Sequence, residues 1–386
     1  MTDVIVEIGE HLEPAPGEKI FDVKEAVVAP GFVDMHVHLR DPGDPQKETF
    51  ETGGAAALHG GFTAVACMPN TRPALDDPAI LDDLLRRVET SAVGLPHIYP
   101  IAAITRNRAG KELCDYPSLA RSGAVAFSDD GAAVADGSVL QAAAHAALGV
   151  SGPFISHCEN AALKSLSAAL SECSVVARDL RVARATGKAW HFAHISTRMG
   201  VELLRFARRS GTTVTAEVTP HHLLCTQDEA RSLGTAAAVN PPLADTQDAR
   251  ALRDAVRDGV IDVFASDHAP HTEAEKRGPD PPPGFSGLEL ALGAYAAALP
   301  DLPLLRFVEM LSWAPARILG IPGGTLRRGS AADITVFRDE PWRVDARALV
   351  SKGKVTPFDG WTLPRRAIAT IVHGRLLYDA RAASPT

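Results

Sequence analysis

The chain has 386 residues, 46% hydrophobic and 22% charged, with a formal net charge of -8. That is ordinary globular composition, and it excludes disorder on the scale of a domain. The acidic balance gives no footprint for nucleic acid or an anionic membrane, and no apolar run approaches the ~20 residues of a membrane span, so neither is expected as a partner. A small anionic substrate stays open, because local charge in a pocket can oppose the global sign. The five cysteines, Cys67, Cys114, Cys158, Cys173 and Cys225, form no CxxC pair. This argues against a disulfide framework and a cysteine zinc knuckle, and for reduced thiols in a cytoplasmic protein. The opening Met1-Thr2-Asp3-Val4 shows no basic segment leading into an apolar one, so no secretory signal is expected.

In chain order, Met1–Pro30 reads as short alternating strands. From Gly31 onward, β-branched or apolar runs alternate with Ala/Leu/Arg-rich stretches, the signature of repeated βα units around a parallel sheet. The predicted strands are Phe32–His38, Thr63–Met68, His97–Ala103, Val125–Ser128, Pro153–His157, Trp190–His194, Val214–Val218 and Val263–Asp267. Predicted helices include Glu48–His59, Pro78–Glu89, Val139–Leu148, Val175–Ala185 and Met199–Arg208. Eight strands close a TIM (β/α)8 barrel of roughly 250 residues, which leaves room for a satellite domain. The proline-rich Gly278–Gly284 cannot extend a helix or enter a central strand, and is expected to cross the barrel mouth as a loop. Strand patterns return at Asp333–Phe337 and Ala369–Val372. The expected organisation is α/β: a small composite β-domain from 1–30 plus 324–386, and a barrel over 31–323.

Chemistry enters with Asp34-Met35-His36-Val37-His38-Leu39-Arg40. On a strand, residues two apart share a face, so His36 and His38 project into one space, as zinc requires of nitrogen ligands. A bare His-x-His is also a common accident. The other polar residues change its weight: Asp130 follows the fourth predicted strand, His157 ends the fifth, His194 the sixth and Asp267 the eighth. TIM-barrel active sites are built at that C-terminal face. A strand interior ought to carry Val, Ile or Leu, so buried ionisable groups there need a partner, and a metal supplies one.

Several motifs then resemble the amidohydrolase superfamily in its bacterial type I dihydroorotase form. They are Pro30-Gly31-Phe32 through Asp41-Pro42-Gly43, Lys47-Glu48-Thr49, Gly60-Gly61-Phe62-Thr63, Met68-Pro69-Asn70-Thr71-Arg72-Pro73 and Phe127-Ser128-Asp129-Asp130-Gly131. The series continues with His157-Cys158-Glu159, His194-Ile195-Ser196-Thr197, Thr219-Pro220-His221-His222, Asn240-Pro241-Pro242-Leu243 and Ser266-Asp267-His268-Ala269-Pro270-His271. Gly324-Thr325-Leu326 and Lys354-Val355-Thr356-Pro357-Phe358 complete it, so the resemblance covers nearly the whole chain in order.

The resemblance implies one metal position on His36, His38 and Asp267 and a second on His157 and His194, with Asp130 reaching both. One or two Zn2+ per subunit are expected, and Asp129 competes with its neighbour for the bridging role. Hydantoinases usually bridge with a carboxylated lysine, so the Asp-Asp-Gly setting favours the dihydroorotase branch. Arg40, Asn70 and His271 resemble the groups that grip the ring carboxylate of dihydroorotate; Asn240 and the Pro283–Gly284 backbone would meet the ring edge. The implied activity is the reversible cyclisation of N-carbamoyl-L-aspartate in de novo pyrimidine biosynthesis, by a metal-activated hydroxide with Asp267 as general acid and base. A homodimer and association with aspartate transcarbamoylase are the partners the resemblance brings. His157 and His194 stand 37 positions apart, fewer than is usual in the family; Ala244 and Pro283 also depart from its pattern. Rival readings are another cyclic amidohydrolase, hydantoinase- or allantoinase-like, and a non-catalytic dihydroorotase-like subunit of a transcarbamoylase complex. The latter typically loses ligands that this chain retains. His221 and His222 are left between rim packing and the site, and His268 is expected to orient a ligand. His11, His59, His97, His145, His191 and His373 carry no motif support.

Overall fold

The computed structural model describes residues 3–381. Strand β1 (Val27–Pro30) precedes eight barrel strands: β2 (Phe32–Val37), β3 (Phe62–Cys67), β4 (His97–Ala102), β5 (Ala126–Ser128), β6 (Phe154–Ser156), β7 (Trp190–Phe192), β8 (Thr215–Val218) and β9 (Val263–Phe264). These eight form one parallel sheet in sequential order. The ring closes where Val37 bridges His268 in parallel and the His38 N–H donates to the His268 carbonyl at 2.8 Å. The expected (β/α)8 barrel is therefore what the chain forms.

Several strands stop one to three residues earlier than the sequence suggested. His194 and Asp267 have φ of 33° and 50°, left-handed values that cannot continue an extended ladder. The ligand candidates at these ends thus sit just beyond regular pairing, on backbone turned toward the barrel mouth. In β2 the register shifts between Asp34 and Val37, a bulge that re-aims the side chains beyond it.

Helices follow the strands with legible caps. Thr49 and Thr52 make a capping box at the start of Phe50–Gly60, and Asp77 accepts from Ala79 N ahead of Pro78–Glu89. The helix expected over Val175–Ala185 begins earlier, at Ala168, because Ser167 caps it by accepting from Leu170 N. Inside the barrel Val33, Met35, Ala64, Ile101, Ala126, Ile155 and Val263 pack with Ala314, Ala316 and Leu319. These last three lie on the helix Trp313–Leu319, which plugs the N-terminal end of the barrel beside Trp190 and Thr215. The opposite, C-terminal end is left for polar residues.

Four antiparallel strands lie outside the barrel, in the order β1, β10 (Ile334–Arg338), β13 (Arg366–Val372) and β14 (Arg375–Asp379). Both ends of the chain contribute, with Val28 opposite Val336. A short pair, β11 (Trp342–Arg343) and β12 (Thr362–Leu363), borders residues that return to the barrel: Leu349, Phe358 and Leu363 pack with Phe285 and Leu290.

Gly31 is the hinge between terminal sheet and barrel. A Cβ there would lie 2.1 Å from Thr63 Oγ1, and the buried, β-branched Thr63 has no room to give. Gly31→Ala is expected to destabilise by about 1–3 kcal/mol. Thermal unfolding should show a midpoint lowered by a few degrees; an unchanged midpoint would contradict this close packing.

Candidate metal centre

Six side chains from five strand ends meet at the C-terminal mouth. His38 Nε2 lies 3.1 Å from Asp267 Oδ1 and 3.5 Å from Asp130 Oδ2. His36 Nε2 lies 3.5 Å from both Asp130 Oδ1 and Asp267 Oδ1. On the other side His157 Nδ1 is 3.3 Å from Asp130 Oδ1 and 2.9 Å from His194 Nε2, with His194 Nε2 3.8 Å from the same carboxylate oxygen. Asp130 is thus shared between two trios, His36–His38–Asp130 and Asp130–His157–His194, each with ligand atoms within 4.8 Å of one another. All except Asp267 are nearly sealed from solvent.

His36 Nε2 and Asp130 Oδ1, 3.5 Å apart within the cluster, are buried without hydrogen-bond partners among the described residues. Such orphans are costly unless something satisfies them, and imidazoles with carboxylates are the donor set of zinc and its neighbours. The residues present fit a divalent cation. Burial pushes carboxyls up and imidazoles down; against it, His36 and bonds from His157 and His194 hold Asp130 well below the usual carboxylate range. Asp267 is likewise depressed, by His36 and His38. Both carboxylates therefore stay anionic and available to a cation.

Asp129 does not compete for the bridging position. Its carboxylate accepts from Ile104 N at 2.8 Å and Thr105 N at 3.0 Å, and from the Thr105 hydroxyl, which turns it outward. Arg40, on left-handed backbone (φ 58°), stands at the mouth. Its Nε donates to the Pro270 carbonyl at 3.2 Å, and its terminal nitrogen lies 3.1 Å from His271 Nε2. Burial and the Arg40 charge push His271 down to about 3, so it is neutral. Asn70 accepts from His38 Nδ1 at 2.7 Å and reaches Asp130 at 3.5 Å, so its amide orients two ligand candidates. Asn240 accepts from Lys164 Nζ at 2.7 Å. The Pro283 carbonyl lies 3.0 Å from His271, and Gly284 donates to Ala238 O at 2.8 Å.

His268 does not orient a ligand through its ring, contrary to expectation. The ring faces Glu48 at 3.3 Å and takes the Gly287 and Leu288 amides, because the backbone at Asp267 turns and only the His268 carbonyl meets His38. His222 is bound between Thr219 and the Pro241 carbonyl, and His221 packs edge-on to Phe285, so both serve the rim.

Sequence reasoning missed the residues behind the cluster. Glu217 Oε1 meets His36 Nδ1 at 2.5 Å and accepts from the His194 amide at 3.1 Å, while Oε2 lies 3.0 Å from His191. Its carboxyl is held at about 2, with burial outweighed by His36 and His191. Asp34 accepts from His36 N at 3.0 Å and Ser266 N at 3.0 Å, tying the first barrel strand to the last. The one available signal was an acid within the apolar run Thr215-Ala216-Glu217-Val218. Groups that fix the ring orientation of a metal-binding histidine are typically worth 10–100-fold in metal affinity. Glu217→Gln should weaken the centre by that order, read as metal retained after dialysis against a graded chelator; unchanged retention would remove Glu217 from the site.

The profile of the Amidohydrolase family matches residues 27–377. The chain is 40% identical to the dihydroorotase of Syntrophus aciditrophicus over 397 residues, covering 97% of this chain and 92% of that protein. It is 39% identical to the dihydroorotase of Aquifex aeolicus over 402 residues, covering 97% and 94%. Among solved structures, the L-hydantoinase (dihydropyrimidinase) of Arthrobacter aurescens superposes with a TM-score of 0.81 at 25% identity, covering 92% of this chain and 86% of that one. The dihydropyrimidinase of Brevibacillus agri shares the fold, with a TM-score of 0.83 at 19% identity over 98% and 90%. With a profile match across most of its length and full-length relatives near 40% identity, the chain belongs to the amidohydrolase family.

Proposed function

We propose that the chain is a dihydroorotase, interconverting L-dihydroorotate and N-carbamoyl-L-aspartate in pyrimidine biosynthesis. The observation that carries this beyond the family is Arg40. Its guanidinium is partly buried beside the candidate ligands, yet among the described residues no carboxylate lies within ion-pair distance of it. A partly buried guanidinium without a counter-charge is costly, and a substrate carboxylate presented to its planar fork would complete it. Hydantoin and dihydrouracil have no such carboxylate; dihydroorotate does.

His36, His38 and Asp267 would hold one cation and His157 and His194 a second, with Asp130 between; zinc is the metal this reading takes, one or two ions per subunit. A divalent cation there lowers the pKa of water toward ~7 and polarises a carbonyl oxygen. Arg40 grips the ring carboxylate, with neutral His271 at its flank, Asn70 beside it, and Asn240, Pro283 and Gly284 walling the ring. Asp267 accepts the proton of the attacking water and delivers it to the ring nitrogen as the amide C–N bond breaks. In the reverse direction Asp267 takes a proton from the ureido nitrogen, which attacks the side-chain carboxyl carbon; that proton and one more from solvent leave with the carboxylate oxygen as water when the ring closes.

The same reading treats 1–30 with 324–386 as a small β-domain and 31–323 as the catalytic one. No helix among the described residues is long and apolar enough to cross a membrane. A cytoplasmic homodimer, associating with aspartate transcarbamoylase, is the assembly it carries.

The test is a substrate panel of dihydroorotate, hydantoin, dihydrouracil and allantoin. Turnover confined to dihydroorotate is expected; preference for an uncharged ring would overturn the assignment. Arg40→Ala should raise KM for dihydroorotate by roughly 10–100-fold with a smaller change in kcat, as loss of a charge-assisted contact predicts. Asp267→Asn should lower kcat by about 10²–10⁴-fold, the usual contribution of a positioned acid–base group. Normal turnover in Asp267→Asn would exclude the proton-transfer role. Dialysis against a chelator should abolish activity and zinc should restore it; activity surviving verified metal removal would sink the metal-centred reading.

A further inference from the structure

A second group of metal-ligating side chains stands at the opposite end of the barrel, outside the site described above. His97 opens β4, Asp333 immediately precedes β10, and His373 leads the two-residue turn joining β13 to β14. His97 Nε2 lies 3.0 Å from Asp333 Oδ2, and the His373 amide donates to Asp333 Oδ1 at 2.8 Å. The two imidazole rings meet edge to face with centroids 4.6 Å apart. One ligand atom from each residue falls within 4.8 Å of the other two. Asp333 is buried, His97 partly buried and His373 exposed, at the edge of a cleft of about 590 Å³ that also contains Tyr99 and Leu377.

His373 is the unexpected member. Its φ is 47° and that of Gly374 is 68°, the paired left-handed values of a tight hairpin turn. Asn or Gly takes the first of these positions most readily, and other residues adopt it at some cost in backbone strain. A histidine held there sets its imidazole over His97 and the buried carboxylate. Asp333 fixes both neighbours, bonding the ring of one and the amide of the other.

We infer that His97, Asp333 and His373 form a divalent-cation site that clips the barrel to the terminal sheet. Two imidazole nitrogens and one carboxylate oxygen, with a position left for water, suit zinc, cobalt or nickel and not magnesium or calcium. Ligands at ~2.0–2.1 Å in a tetrahedral array lie roughly 3.4 Å apart. His97 and Asp333 already stand closer than this, and the exposed His373 ring has two free torsions with which to close the remaining gap. Because the three ligands come from the barrel and from both parts of the hairpin sheet, a bound ion would cross-link the two units.

The test uses the holoenzyme, with its active centre loaded and excess metal removed, titrated with Zn2+ by calorimetry and with Co2+ by absorption. One further equivalent per chain is expected, with a dissociation constant of roughly micromolar order. Binding at a hundredfold excess over that constant should raise the melting temperature by roughly 2–5 °C. In His373→Asn, which keeps the turn, the further equivalent and the thermal gain should disappear while dihydroorotate turnover is unchanged. In Asp333→Asn, which keeps an acceptor for the His373 amide, the further equivalent should also be lost. No further equivalent in the wild-type chain, or one retained in His373→Asn, would reduce the group to a hydrogen-bonded Asp–His pair and overturn the inference.

Discussion

The structure turns on the concentration of ionisable side chains at the buried end of an apolar barrel. Four imidazoles and two carboxylates stand where a barrel interior would otherwise hold Val, Ile or Leu, and His36 Nε2 and Asp130 Oδ1 have no hydrogen-bond partner among the described residues. Desolvating such a group is unfavourable by several kcal/mol unless opposite charge is brought in. A divalent cation satisfies nitrogen lone pairs and carboxylates together. The rest of the molecule follows from holding these groups in place until it arrives.

That holding is done from behind. Glu217 fixes His36 and the backbone of His194, Asp34 ties β2 to the end of β9, and Asn70 fixes His38. Farther out, Glu48 joins the ring of His268 to Ser351, so the returning C-terminal segment braces the loop that carries Asp267, Arg40's partner Pro270 and His271. Glu172 accepts from the amides and hydroxyls of Ser196 and Thr197, and so anchors the turn after His194. Left-handed backbone at Arg40, His194 and Asp267 is strain concentrated where side chains must leave the sheet direction to face the mouth.

The barrel and its ligand candidates were legible because each strand is a short apolar run ending in a polar residue of a recognisable kind. His36, His38, His157, His194 and Asp267 stood out by residue type and position after a strand, and the resemblance to a known family gave them, with Asp130, their roles as ligand candidates. The braces were not legible. Glu217 acts on His36 from 181 residues away, and its local sequence reads as any half-buried strand. The choice between Asp129 and Asp130 depended on which carboxylate the Ile104 and Thr105 amides capture. The strand ends were overextended because left-handed φ values at His194 and Asp267 have no signature in residues that usually avoid them. Lys164 beside Asn240 was also hidden: the short stretch between His157 and His194 brings a helix end to Asn240, and spacing alone does not say where it lands.

On the function proposed above, these six side chains enclose a catalytic cation. Anomalous X-ray diffraction from crystals of the active enzyme, collected on both sides of the zinc absorption edge, tests it most directly. One or two edge-dependent peaks are expected, bounded by His36, His38, Asp130, His157, His194 and Asp267. Fully active protein whose map shows no anomalous peak among those residues would contradict it.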